Sequence, residues 1–220
     1  MLMNEFRELR QNEPFSSLSH LAGAIFSFIG LIVLVILAFL RGNTWKVVGF
    51  SIYGISLVLL YGASAIYHFI SSENNKKKLF QKFDHALIYV LIAGTYTPIC
   101  LVVLRGGWGW SIFGIIWGLA IAGILIKFLE IKIKPWLSAV LYILMGWVAI
   151  VAISPLAKSL SSGGLAWLFT GGLFYTVGTI FFGLERYIPR KHWFGMHEIF
   201  HLFVLAGSFC HFWMMLKYVL

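Results

Sequence analysis

Charge is the scarcest commodity in this sequence. Only 11% of its 220 residues are Asp, Glu, Lys or Arg, against 60% hydrophobic, too little polarity to cover a water-soluble domain. Cysteine is nearly absent as well. Cys100 and Cys210 both fall inside apolar runs without CxxC spacing, which argues against a disulfide framework or a thiolate zinc site and leaves them as small packing side chains. Acidic residues number 8 against 17 basic ones. The basic residues nevertheless come in short blocks between apolar runs, not along one face or among stacking aromatics, so nucleic acid is not the expected partner. Residues 1–12 carry both signs of charge and no apolar leader with a small-residue cleavage pattern. The first apolar run is therefore expected to direct insertion itself.

What the chain does have is long apolar runs. A span needs ~20 apolar residues to cross the hydrocarbon core, and seven runs qualify, at 18–40, 47–69, 79–103, 108–126, 136–153, 165–183 and 196–218. The connections leave no room for a soluble domain. The expected fold is an all-α integral membrane protein, a seven-helix transmembrane bundle at 18–220 behind a short cytoplasmic tail at 1–17. Basic loop residues resist translocation. One side of the bundle holds Arg7, Arg10, Lys76, Lys77, Lys78, Lys82, Lys127, Lys132, Lys134, Arg186, Arg190 and Lys191; the other holds only Arg41, Lys46, Arg105, Lys158 and Lys217. That bias predicts a cytoplasmic N-terminus and an extracytoplasmic C-terminus, in a protein that crosses the cell membrane repeatedly.

Within the spans, Gly23, Gly30, Gly54, Gly62, Gly94, Gly114, Gly118 and Gly172 are expected to let helices approach closely. Pro98 should kink the third span, freeing a carbonyl for Thr95 or Thr97 to satisfy. Trp45, Trp108, Trp110, Trp136 and Tyr218 read as interfacial anchors. The lysines of the linker-like stretch 71–78 are expected to face anionic head groups.

Ionisable groups at membrane depth are costly and mark function. His68 closes the second span one turn after Ser64, Asp84 opens the third, and His197 and His201 occupy the first two turns of the seventh. With alternating helix directions all of them fall at one depth, in the cytoplasmic leaflet, despite their distance in sequence. His197 and His201, four apart, share a helix face and can reach one metal ion. Three histidines without a thiolate fit zinc, with a fourth tetrahedral position open, the arrangement of catalytic sites. Zinc in such a site brings the pKa of a water to ~7, and Asp84 is placed to orient or deprotonate it. Ser64 is a candidate to hydrogen-bond a substrate carbonyl or oxyanion, although a serine in a span also bonds to its own helix. His85 points ~100° from Asp84 on a helix and reads as a packing or supporting group. His20 is the best remaining supporting histidine; His192 and His211 are not assigned to the site.

The stretch His197-Glu198-Ile199-Phe200-His201 matches the zinc-protease string H-E-x-x-H, in which the glutamate is general base. Here no acidic residue follows Glu198, and positions 204 and 207 are Val204 and Gly207, so neither known completion of the motif is present. Glu198 has a simpler account, as a carboxylate complementing the helix dipole in the first turn.

The residues that carry a resemblance are SAIYH at 64–68, FQKFDHALIYVLIAGTYTPIC at 80–100 and MHEIFHLFVLAGSFCHF at 196–212. They closely resemble the bacterial haemolysin III family, of the progestin and adipoQ receptor superfamily that includes the adiponectin receptors and is more distantly similar to alkaline ceramidases. The resemblance implies seven helices, a cytoplasmic N-terminus and a zinc ion in the inner leaflet, held by His68, His197 and His201 with Asp84 beside its water. In the adiponectin receptors the position of Glu198 is not acidic. The chain departs from the family at Ser17-Leu18-Ser19-His20, where an Asn-x-Thr-His element is frequent.

Three functions follow as expectations. The first is a zinc-dependent hydrolase of a membrane-lipid amide or ester, the others a non-enzymatic membrane sensor with structural zinc and a lytic, haemolysin-like protein. Orientation is directly testable. Alkaline phosphatase, whose disulfides form only outside the cytoplasm, is expected to be active when fused after Leu220 and inactive when fused after Lys78; the reverse pattern would invert the bundle.

Overall fold

Two prolines mark helix starts. Pro14 and Pro135 each sit in the first turn of a helix, where a missing N–H costs nothing and the fixed φ suits the helix. The computed structural model describes residues 13–71, 74–188 and 194–220, and every regular element among them is helical. Seven helices are long and apolar enough to cross a membrane: α1 Pro14–Leu40, α2 Thr44–Phe69, α3 Lys77–Val103, α4 Gly107–Phe128, α5 Pro135–Ser159, α6 Ser162–Leu184 and α7 Met196–Val219. Residues 1–12 of the expected tail at 1–17 lie outside the described residues, as do Arg190, Lys191 and His192. From Pro14 onward the remainder of that tail is already helix.

The bundle is organised around α3. Two thirds of its apolar window (67%) is buried, against 17–22% in α1, α4, α5 and α6. α3 packs between α2 and α4, α1 packs on both α2 and α7, and α6 lies along α7. The core is built from Leu34 of α1, Phe50, Tyr53, Leu57 and Tyr61 of α2, Tyr89 and Tyr96 of α3, Ile116 of α4 and Met214 of α7. Large apolar side chains such as Phe26, Phe39 and Val151 point outward instead, as hydrocarbon surroundings allow.

Pro98 ends the regular part of α3, and the helix continues as a wider π-helical turn over Ile99–Val103. The two threonines do not serve the carbonyl that Pro98 frees, which is that of Gly94. Thr95 Oγ1 donates to Leu91 O and Thr97 Oγ1 to Ala93 O, each at 2.8 Å, the ordinary back-bond to residue i−4. α5 carries a break that the apolar pattern did not announce. Its α-helix stops at Gly146, passes through a tighter 3₁₀ segment at Trp147–Ala152 and resumes at Ile153–Ser159. Pro155 then sits in the first turn of the resumed helix, where it is tolerated, so the span runs on past the expected end at 153. Tyr96 of α3 holds the break together: its hydroxyl donates to Gly146 O at 2.6 Å and accepts from the N–H of Ala149 at 2.7 Å.

The glycine expectations divide. A Cβ on Gly94 would meet Ser56 Oγ at 2.2 Å and one on Gly54 would meet Leu31 Cβ at 2.7 Å, and at Gly23 and Gly30 it would meet Leu205 and Phe212, each at 2.8 Å. Gly172 is in ordinary contact with Trp147, whereas Gly62, Gly114 and Gly118 have nothing within 4 Å and are not packing sites. Among the aromatic anchors, Trp108, Trp110 and Trp136 are exposed, and Arg105 lies over the Trp45 ring. Tyr96→Phe tests the brace across α5. It is expected to leave the buried N–H of Ala149 without a partner and to cost about 1–3 kcal/mol, read as a lower unfolding midpoint in detergent; unchanged stability would remove the brace.

Candidate metal centre

His68 is the penultimate residue of α2, and its position depends on how that helix ends. The last carbonyls of a helix lack intrahelical donors. Here Lys77, half-buried at the start of α3, turns back to give its Nζ protons to Tyr67 O at 2.6 Å and Ile70 O at 2.9 Å. This corrects the expectation that all the lysines of 71–78 face head groups: Lys76 and Lys78 are exposed, but Lys77 fastens α2 to α3. His197 and His201 lie on α7 one turn apart, after Gly195 has let the chain enter the helix. The end of α2 and the starts of α1, α3 and α7 therefore share one end of the bundle.

The three histidines meet there. Each offers a nitrogen within 4.8 Å of those of the other two. The Nε2 atoms of His197 and His201 are 3.1 Å apart, close to the ~3.3 Å separating two nitrogens on one tetrahedral zinc with ~2.0–2.1 Å bonds. Nε2 of His68 is buried and has no hydrogen-bond partner. Leaving such an atom unpaired costs about 1–3 kcal/mol, and a cation facing it removes that cost. The donor set suits a metal ion, and the group can hold one.

Two carboxylates that the sequence did not single out stand beside this cluster. The carboxylate of Glu13 contacts Nδ1 of His68, and Glu185, immediately after α6, lies 3.0 Å from Nδ1 of His197. His20 of α1 stacks on His201, with ring centroids 3.7 Å apart and planes at 14°; both of its ring nitrogens are buried without a hydrogen-bond partner. Its assignment as the best remaining supporting histidine thus has a definite place, against the ring of His201. Glu198 is buried and accepts from Ser16 Oγ of α1 at 3.4 Å.

The cluster opens on a cavity of about 390 Å³. Ser64, Asp84, His85, His197 and His201 all line it, so Asp84 and His85 reach the same space although adjacent in sequence. Leu60, Ile88, Leu91, Ile92 and Val204 make the wall beyond them apolar. His211 lines the same cavity deeper in the bundle, stacked on Tyr175 at 5.5 Å between ring centroids, and Ser208 next to it joins the hydroxyls of Tyr61 and Tyr175 at 2.6 and 2.8 Å. Nothing in the sequence surroundings of His211 marks that position. Cys100 and Cys210 are free and buried.

A seven-helix membrane protein with a three-histidine group able to hold a metal ion at one end is thus defined. The haemolysin-III related family matches residues 9–212 of this sequence, and the chain belongs to that family. It is 43% identical to hemolysin-3 of Bacillus cereus over 99% of its own length and 96% of that protein's. With the hemolysin-3 homolog of Bacillus subtilis it shares 41% identity, over 94% of each chain. It is 27% identical to the human monocyte to macrophage differentiation factor over 82% of this chain and 74% of that one. These relatives and the seven apolar helices make it a multi-pass protein of the bacterial cell membrane.

The three-histidine group predicts a stoichiometry. Purified protein is expected to carry about one divalent ion per chain by elemental analysis, and His68→Ala, His197→Ala and His201→Ala each to lose most of it, because two imidazoles bind far more weakly than three. His211→Ala is expected to keep it. Equal metal content in all four variants would dissociate the cluster from metal binding.

Proposed function

We propose that this protein is a zinc-dependent hydrolase that cleaves an amide or ester of a membrane lipid, acting at the cytoplasmic leaflet in lipid homeostasis. The observation that carries the reading is the joining of the three-histidine group to a largely apolar cavity whose lining also holds Asp84 and Ser64. A buried structural metal needs no such space. The basic bias of the loops at this end supports the cytoplasmic side.

In this reading His68, His197 and His201 hold zinc, which when bound supplies a Lewis acid and acidifies water beside it. The chain's own groups do the rest. The apolar wall of Leu60, Ile88, Leu91, Ile92 and Val204 takes the acyl chain and keeps bulk water from the scissile bond. Ser64 Oγ donates a hydrogen bond to the substrate carbonyl oxygen, where negative charge develops. A carboxylate oxygen of Asp84 takes the proton that the attacking water gives up and returns it to the leaving nitrogen or oxygen.

A second reading draws on the tie between α2 and α7: a non-enzymatic membrane sensor in which zinc is structural. The name hemolysin-3 of the Bacillus relatives suggests lysis, which overproduction of any disturbing membrane protein could cause. The two main readings part at Asp84. Fatty acid release from phospholipids, ceramides and acylated amines presented in mixed micelles is expected to fall ~100-fold or more in Asp84→Asn, the scale of a lost acid-base group, with metal content and melting temperature retained. No release from any of these lipids by zinc-loaded wild type, together with an Asp84→Asn strain of unaltered lipid composition, would favour the sensor.

A further inference from the structure

Two of the three histidines are gripped from behind. His68 has the Glu13 carboxylate on Nδ1 and a buried, unpartnered Nε2. His197 has Glu185 Oε2 at 3.0 Å on Nδ1, while its Nε2 faces His201. In both, the carboxylate takes one nitrogen and leaves the other for the centre of the cluster. Neither carboxylate belongs to a helix that carries a cluster histidine. Glu13 immediately precedes α1 and Glu185 immediately follows α6.

A carboxylate that accepts from Nδ1–H fixes the tautomer with its lone pair on Nε2, stops the ring from rotating, and makes Nε2 a better donor to a cation. It also answers a problem of charge. A divalent ion held by three neutral imidazoles carries a full +2 into a cluster in which His68 and His201 are buried, which is costly; two directly bonded carboxylates bring the sum of these groups to zero. We propose that Glu13 and Glu185 are positioning residues of the metal site, each orienting one histidine, and that α1 and α6 thereby belong to the site although neither supplies a ligand. The inference rests on the zinc reading above and deepens it.

The test is Zn²⁺ affinity of the full-length protein in detergent, measured by competition with a chromogenic chelator, for wild type, Glu13→Gln, Glu185→Gln and Glu130→Gln. Glu130 is an exposed carboxylate paired with Lys82 away from the cluster. Glu13→Gln and Glu185→Gln are each expected to weaken binding ~10–100-fold, and Glu130→Gln to bind like wild type. Visible absorption of the Co²⁺-loaded protein supplies a readout that a merely structural role would not move: reoriented imidazoles shift the bands of both glutamine variants. Affinities within about twofold of wild type, or weaker binding with an unchanged Co²⁺ spectrum, would overturn the positioning role while leaving the zinc reading intact. If wild type binds neither ion, both fall together.

Discussion

A polar group at membrane depth has no water to fall back on, so each must find its partner inside the bundle. Most of this structure obeys that constraint with protein atoms alone. Tyr96 supplies both the donor and the acceptor that the break in α5 requires. Ser208 gathers the hydroxyls of two tyrosines from α2 and α6, and Lys77 closes the last turn of α2. Protein partners run out chiefly at the histidine group. His68 Nε2 is buried without one, and two imidazole Nε2 atoms face each other at 3.1 Å, a distance that only a shared proton or a shared cation makes favourable.

Much of the fold was legible because length in apolar residues is a strong signal in a membrane protein. All seven spans appear where the runs placed them, and most ends agree within about four residues. The disagreements have local causes. Helix α1 begins at Pro14, not 18, because proline is a good first-turn residue and the polar Ser16 and Ser17 are buried against neighbours, not in a tail. α5 continues beyond 153 because a proline just inside a new helix start does not terminate it. Glycine is ambiguous in the same way: composition cannot tell Gly94, pressed on Ser56, from Gly118, which meets nothing.

The site was legible only where spacing or shared depth carried information. The turn between His197 and His201 follows from helix geometry, and alternating helix directions bring His68, Ser64 and Asp84 to the same end. Glu13 and Glu185 left no such trace. They lie 55 and 12 residues from the histidines they meet, at helix ends where an acidic residue reads as ordinary capping or loop charge. Glu198 shows the converse failure, a strong motif letter with a different local use. One residue along a helix is ~100° around it, so a side chain adjacent to His197 points elsewhere, and here it meets Ser16 of α1.

The carboxylates near the cluster divide by the side on which they stand. Asp84 lines the cavity, together with His197, His201 and Ser64, whereas Glu13 and Glu185 are absent from its lining. Glu13 and Glu185 take the outer nitrogens of His68 and His197, and the ring of His20 stacks on His201. The cavity is walled by α3, α5, α6 and α7 together, and the one carboxylate in its lining is on α3, the most buried helix of the bundle. In the proposed reading Asp84 is the acid-base group, which must keep its place while substrates come and go. The central helix supplies that anchorage, and the irregular α5, braced by Tyr96, forms part of the wall around it.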